Sequence, residues 1–243
     1  MPYRRLPNTD SARLRALQTA FAKGKELPPF KLAFSQQSLR KLHSIIPQFE
    51  KALLEYRSTF NHQVRKNKEY LQIYKRAKLY ISHFIQVMNM SVNRGELPAI
   101  TRTFFGMGEQ ESYVPDLNTE RSVLEWGEKI IKGENQRRLQ GLTPITNPAI
   151  ALVKVRYEQF VDAYKFQKTL QADKRRAMDN IVQLRVDVDA IILAIWNEVE
   201  EFFKDLPDNL MREKSAEYGV SYVFRKNELR KINLSSTLQF SMF

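Results

Sequence analysis

The chain contains no cysteine. That one absence removes a disulfide framework, a thiolate metal site and a thiol nucleophile. No run of about 18 apolar residues occurs, so no membrane-spanning helix is expected. The opening ten residues, Met-Pro-Tyr-Arg-Arg-Leu-Pro-Asn-Thr-Asp, carry charge but no apolar stretch. That argues against a secretory leader, and a cytoplasmic protein is the default that these absences leave. Glycine is scarce, at 8 residues in 243, and the glycine-built ligand loops are missing with it. Gly106-Met107-Gly108 is the only Gly-x-Gly, and it lacks both a preceding strand and a third glycine. Neither a Gly-x-x-x-x-Gly-Lys phosphate loop nor a Gly-x-Ser-x-Gly elbow is present.

Histidine is equally sparse. A di-iron helical bundle needs Glu-x-x-His, so that a carboxylate and an imidazole share one helix face. The residues three before His43, His62 and His83 are Arg40, Thr59 and Tyr80, so none of the three histidines satisfies it. His62 and His83 read as surface or boundary residues. Asp187 and Asp189 lie two apart, which on a helix turns them to different faces and spoils a paired-carboxylate site. The simpler reading pairs Arg185 with Asp189, four residues on. No catalytic residue, cofactor or metal ligand is therefore expected, and the chain does not read as an enzyme.

What is present is helix. Ala149 to Leu206 runs without one proline or glycine, bracketed by Pro148 and Pro207. Ile150, Val153, Tyr157, Phe160 and Tyr164 open a 3-4 alternation that continues through Met178, Ile181, Val188, Ile192, Ile195, Val199 and Phe202. Gln167, Gln171, Lys174 and Arg185 interrupt it, and the first three form a polar waist. Two structures fit: one long helix, or a hairpin turning near 171–176. A turn would reset the phase of the stripe and would bring Gly, Pro or Asn, and neither happens, which favours the long helix. At 1.5 Å per residue it would extend about 85 Å.

A second segment has the same design. Ser35 caps a helix whose stripe runs from Leu39 through Phe49, Tyr56, Tyr70, Ile81 and Phe84 to Met88, interrupted only by Gln63 and Asn67. Pro47 leaves the phase undisturbed and reads as a kink rather than an end. Phe49-Glu50 and Tyr157-Glu158 correspond at an offset that also relates Tyr56 to Tyr164, a weak internal duplication of 36–95 and 148–207. The expected fold is all-α: a helical bundle on two long antiparallel helices, about 36–94 and 149–206, with shorter covering helices. It reads as a single helical domain over 1–243, with 208–243 as a C-terminal appendage. Antiparallel packing would bring Gln63, Asn67, Gln171 and Lys174 into one polar layer.

The covering pieces are shorter. Thr9 or Asp10 caps a helix over about 11–23 that Gly24 would end, with an extended link at Pro28-Pro29. A helix over about 119–132, capped by Asn118 or Thr119, presents Val123, Trp126, Gly127, Ile130 and Ile131, with room to continue to Leu139. Thr101 to Phe105 and Leu142 to Asn147 look extended. A short helix is expected from Asp208 to Tyr218. Val220 to Phe224 is rich in β-formers and could pair with Leu229 to Leu234 as a small C-terminal β-hairpin. The stretches Arg4 to Asp10, Val155 to Tyr164 and Tyr218-Gly219-Val220 resemble a family of all-helical bacterial proteins with no assigned activity. That resemblance implies a helical fold over most of the chain and no functional residues.

The net charge is +12, and it is unevenly spread. Residues 61–78 hold six bases against one acid, and residues 165–176 hold five against one. By contrast 109–134 holds seven acids against three bases, as does 197–217. The positive charge thus gathers at the two waists. Arg65, Lys66, Lys68, Lys174, Arg175 and Arg176 are the candidate residues for an anionic partner. The leading expectation is a non-enzymatic helical scaffold or protein-interaction module that binds a protein partner or itself. The alternative is nucleic-acid or other polyanion binding through the basic belt.

Overall fold

A computed structural model describes residues 3–224. It is all-α apart from one pair of short strands. In chain order the elements are β1 (Tyr3–Arg4), α1 (Asp10–Glu26), α2 (Gln36–Asn93), a 3-10 helix (Ala99–Phe105), α3 (Glu120–Leu139), α4 (Ile150–Phe202), α5 (Asp208–Ala216) and β2 (Tyr222–Val223). Both long segments are single helices, and α2 passes through Pro47 without ending. The unbroken phase of their apolar stripes is the sequence cause of this continuity. The chain divides into two compact units, one from Met1–Arg57 with Arg175–Phe243 and the other from Ser58–Lys174.

The first unit packs the start of α2 against the end of α4, so the two helices run antiparallel. Leu42, Phe49, Val188 and Trp196 lie at its centre, and α1 adds Leu17 and Ala20. Thr9 caps α1, its hydroxyl accepting from the Ala12 N–H. Gly24 does not end α1, which runs on to Glu26 with the Leu27 N–H bonded to the Lys23 carbonyl. The glycine instead leaves room for Leu39, whose Cδ1 would lie 2.4 Å from a Cβ there. Ser35 caps α2, accepting from the Ser38 N–H at 3.2 Å. The first turn of α2 has no acid of its own, and Glu198 of α4 takes that place. Its carboxylate accepts from the Ser38 hydroxyl at 2.7 Å and from the Ser35 N–H, where a negative charge suits the helix N-terminus.

β2 pairs with β1, antiparallel, with Tyr3 opposite Val223 and Arg4 opposite Tyr222. The β-forming stretch after Gly219 therefore finds its partner at the other end of the chain. The hairpin strand expected at 229–234 lies outside the described residues. The ion pairing also departs from the expected i to i+4 bridge. Arg185 forks onto Asp10 at 2.7 Å through both oxygens, and Asp189 receives Arg13 at 2.7 and 3.0 Å. The bidentate fork supplies two parallel charge-assisted N–H···O bonds between α4 and α1.

The second unit packs the end of α2 against the start of α4 and wraps both with the connection between them. Phe84, Ile81, Val123, Ile130, Val153 and Phe160 form its core. Residues 101–105 are helical rather than extended, a 3-10 turn ended by Gly106 at φ 73°. Thr119 caps α3 in a reciprocal box with Ser122, and α3 runs the full distance to Leu139. Two glycines let it sit close. A Cβ at Gly133 would lie 2.3 Å from the Phe104 carbonyl oxygen, and one at Gly127 would lie 2.2 Å from the Tyr157 ring.

Two buried arginines hold the irregular stretches. Arg102 donates to Asn89 and Asn93 of α2 and to the Glu109 carbonyl. Arg137 donates to Glu134 at 2.6 Å and to the Thr143 carbonyl, while Glu134 also accepts from the Ile145 N–H.

Candidate functional site

The mid-stretch of α2 in the second unit is thinly covered. From Ser58 to Glu69 no residue is fully buried, although the helix continues without a break. Phe60, Val64 and Leu71 are 43%, 48% and 43% exposed. Their spacing of four and seven residues puts them in one stripe. Lys68 and Lys75 flank that stripe on the same side of the helix, and both are exposed. Neither meets a carboxylate among the described residues, and the same holds for Arg65, Arg76 and Lys165. Lys174 of α4 places its ammonium 5.9 Å from the centre of the Phe60 ring, an arrangement that keeps the cation beside an apolar surface. A shallow groove beside the stripe is lined by Ser58, Asn61, His62 and Arg65. The His62 ring meets Phe166 edge-on, with no carboxylate to act as a base partner.

The six residues singled out from the sequence fall in different settings. Arg65, Lys66, Lys68 and Lys174 belong to the second unit, and Arg175 and Arg176 to the first. Lys66 is tied to Glu69 at 3.0 Å, which cancels part of its charge. Arg65 and Lys68 remain open cations, and Arg175 and Arg176 are exposed. Lys168, part of the same basic stretch, lies 3.4 Å from Glu120. Glu120 also accepts the Tyr70 hydroxyl, and burial, reinforced by that bond, pushes Tyr70 well above the usual phenol range.

The expected four-member polar layer does not form as drawn. Asn67 accepts from the Gln167 amide at 3.1 Å, but Gln171 is exposed. Leu170, one residue earlier, takes the buried position. A 3-4 alternation admits either neighbour, and the leucine gains more from leaving water. The aromatics Tyr70 and Tyr74 pack inward, each against Phe160, and are not free to stack on a ligand.

His83 is exposed and His62 half-buried. Among the described residues no three His, Asp or Glu side chains converge into a metal-holding group, and none of the helices is long and apolar enough to cross a membrane. What the face offers is an apolar strip with cations beside it.

The exposed apolar members of this face were not singled out from the sequence. Phe60 falls in phase with the apolar stripe of α2, whereas Val64 and Leu71 lie off it. The readable signal was their mutual spacing. No protein-family model, curated protein or solved structure matches the chain.

Proposed function

We propose that this chain is a non-enzymatic, cytoplasmic protein-interaction module, and that the α2 face of its second unit receives an acidic amphipathic helix. The observation that carries this reading is the stripe of Phe60, Val64 and Leu71 with unpaired Lys68 and Lys75 beside it. An incoming helix would lay apolar side chains at i, i+4 and i+7 along the stripe and its carboxylates against the lysines. Charge decides between occupants. A second copy would bring the same lysines to the same place, and like charges at close range oppose that pairing. An acidic partner gains from them.

The open cations Arg65, Lys68, Lys75, Arg76 and Lys165 also support a second reading, in which a polyanion such as duplex DNA binds through charge alone. The test uses a synthetic helical peptide with leucines on one face and glutamates on the other, and a short DNA duplex. Under the first reading Val64→Glu with Leu71→Glu weakens peptide binding by about tenfold or more, on the order of 1.4 kcal/mol, and Lys68→Glu with Lys75→Glu does the same. Duplex binding that is tighter than peptide binding, steeply salt-dependent and indifferent to Leu71→Ala would favour the second. Concentration-dependent mass in light scattering, abolished by Val64→Glu, would assign the face to a second copy instead.

A further inference from the structure

Four arginines stand near the start of the chain, and they sort into two pairs. Arg4 meets Glu200 and the Asn197 side chain at 2.7 and 2.8 Å, and Arg13 forks onto Asp189. Arg5 and Arg15 have no carboxylate partner among the described residues. Both instead line a cavity of about 390 Å³ in the first unit. Among the described residues its wall contains no acid, so the described lining carries two formal positive charges.

The backbone builds this cavity from two directions. The Arg5 N–H donates to the Ser221 carbonyl at 2.9 Å, continuing the β1–β2 pairing past its last partners. Gly219, at φ 88°, turns the chain close over α1, where a Cβ would lie 3.2 Å from the Ala16 carbonyl oxygen. Any other residue there would be strained and would hold the strand off the helix. The result is a recess with Trp196 and Leu6 as apolar wall, the Ser221 hydroxyl as a donor, and Thr19, whose own hydroxyl donates to the Arg15 carbonyl at 2.9 Å. Trp196 is 2% exposed, so only a small part of its surface meets the recess.

We propose that this recess binds a small phosphomonoester with a compact apolar body. A phosphomonoester carries about −1.5 to −2 charges near neutral pH, which matches two guanidiniums, and its oxygens suit their forked donors. A volume of this size lies in the range of small-molecule sites. The site is separate from the α2 face in residues and in the chemistry it recognises.

The test is calorimetric titration of the full chain with phenyl phosphate above about pH 7, where the phosphate is doubly ionised. Inorganic phosphate and benzoate serve as comparison probes, reporting the phosphoryl group and the apolar body separately. Phenyl phosphate should bind more tightly than either. Arg5→Gln and Arg15→Gln should each weaken it by about tenfold, because each removes a charge-assisted contact. Ala12→Phe, which fills the recess without touching charge, should abolish it. Lys68→Gln with Lys75→Gln should leave it unchanged. Arg5 and Arg15 are exposed, so their variants keep the native circular dichroism and melting curve. Should one unfold, Ala12→Phe still decides. No binding at millimolar phenyl phosphate overturns the proposal. So does binding that survives both Arg5→Gln and Ala12→Phe, or binding lost equally on Lys68→Gln with Lys75→Gln.

Discussion

The two units use arginine in opposite ways. In the first, Arg4, Arg13 and Arg185 meet carboxylates at the rim of the helix packing, where every partner keeps some contact with water. In the second, Arg102 and Arg137 are 4% and 1% exposed and reach backbone carbonyls as well as side chains. The cause is what each unit has to cover its helices with. The first is covered by α1, α5 and a strand pair, whose backbones satisfy themselves. The second is covered by a long connection in which α3 and the 3-10 helix are joined by irregular stretches, whose buried carbonyls and N–H groups need partners from elsewhere. A guanidinium with five donors supplies several at once. Rim pairs add little stability, whereas buried hubs are indispensable once present.

The contrast can be broken most severely at Arg137. Arg137→Met should cost about 3–5 kcal/mol, because it leaves Glu134 buried without its counter-charge. Hydrogen exchange should show lost protection in α3 and at 142–147, and the double variant Glu134→Met with Arg137→Met should recover part of it. Next comes Gly133→Ala, which drives a methyl against the Phe104 carbonyl and should cost about 1–3 kcal/mol in denaturant titration. In the first unit the effects should be smaller. Arg13→Met and Arg185→Met should each cost about 0.2–1 kcal/mol, less at high salt, since their partners are partly solvated. If either matched Arg137→Met, the distinction between rim and hub would fail.

The smallest effect concerns pH. Tyr222 is pushed up to about 12, first by burial and then by its hydrogen bond to Glu200. Its folded-state value exceeds its unfolded one, so its contribution is intact below about pH 10 and fades as pH rises toward 12. Tyr222→Phe should flatten thermal melting across that window and change little at neutral pH.

The long helices were legible because their stripes keep phase over many turns, and Ser35, Thr9 and Thr119 announced their caps. What remained hidden had non-local causes. Gly24, Gly127 and Gly133 serve close approaches rather than turns, and nothing in their neighbourhood in sequence names the atom approached. Asp10 lies far along the chain from Arg185, so the local Asp189 looked the better partner. β2 was correctly placed in β-forming residues, but its partner Tyr3–Arg4 is too short to carry a pattern. Of the candidate surface, the basic residues were visible as charge runs. Their division into paired and open cations was only partly so: Lys66–Glu69 is a local i,i+3 pair, whereas the Lys168 pairing depends on where Glu120 arrives in space.

The division of the chain carries a consequence for its synthesis. The second unit is one uninterrupted segment, Ser58–Lys174, whereas the first is assembled from both flanks. A ribosome emits residues in order, and a segment can collapse once its last contact partner has emerged. The middle of this protein is therefore free to fold early, while Leu17, Leu42 and Phe49 wait for Val188, Ile192 and Trp196. During that interval the apolar faces of α1 and the start of α2 stand without their α4 partner. A nascent chain arrested before residue 175 should bind a folding chaperone through its leading flank, and one extended past Val199 should release it.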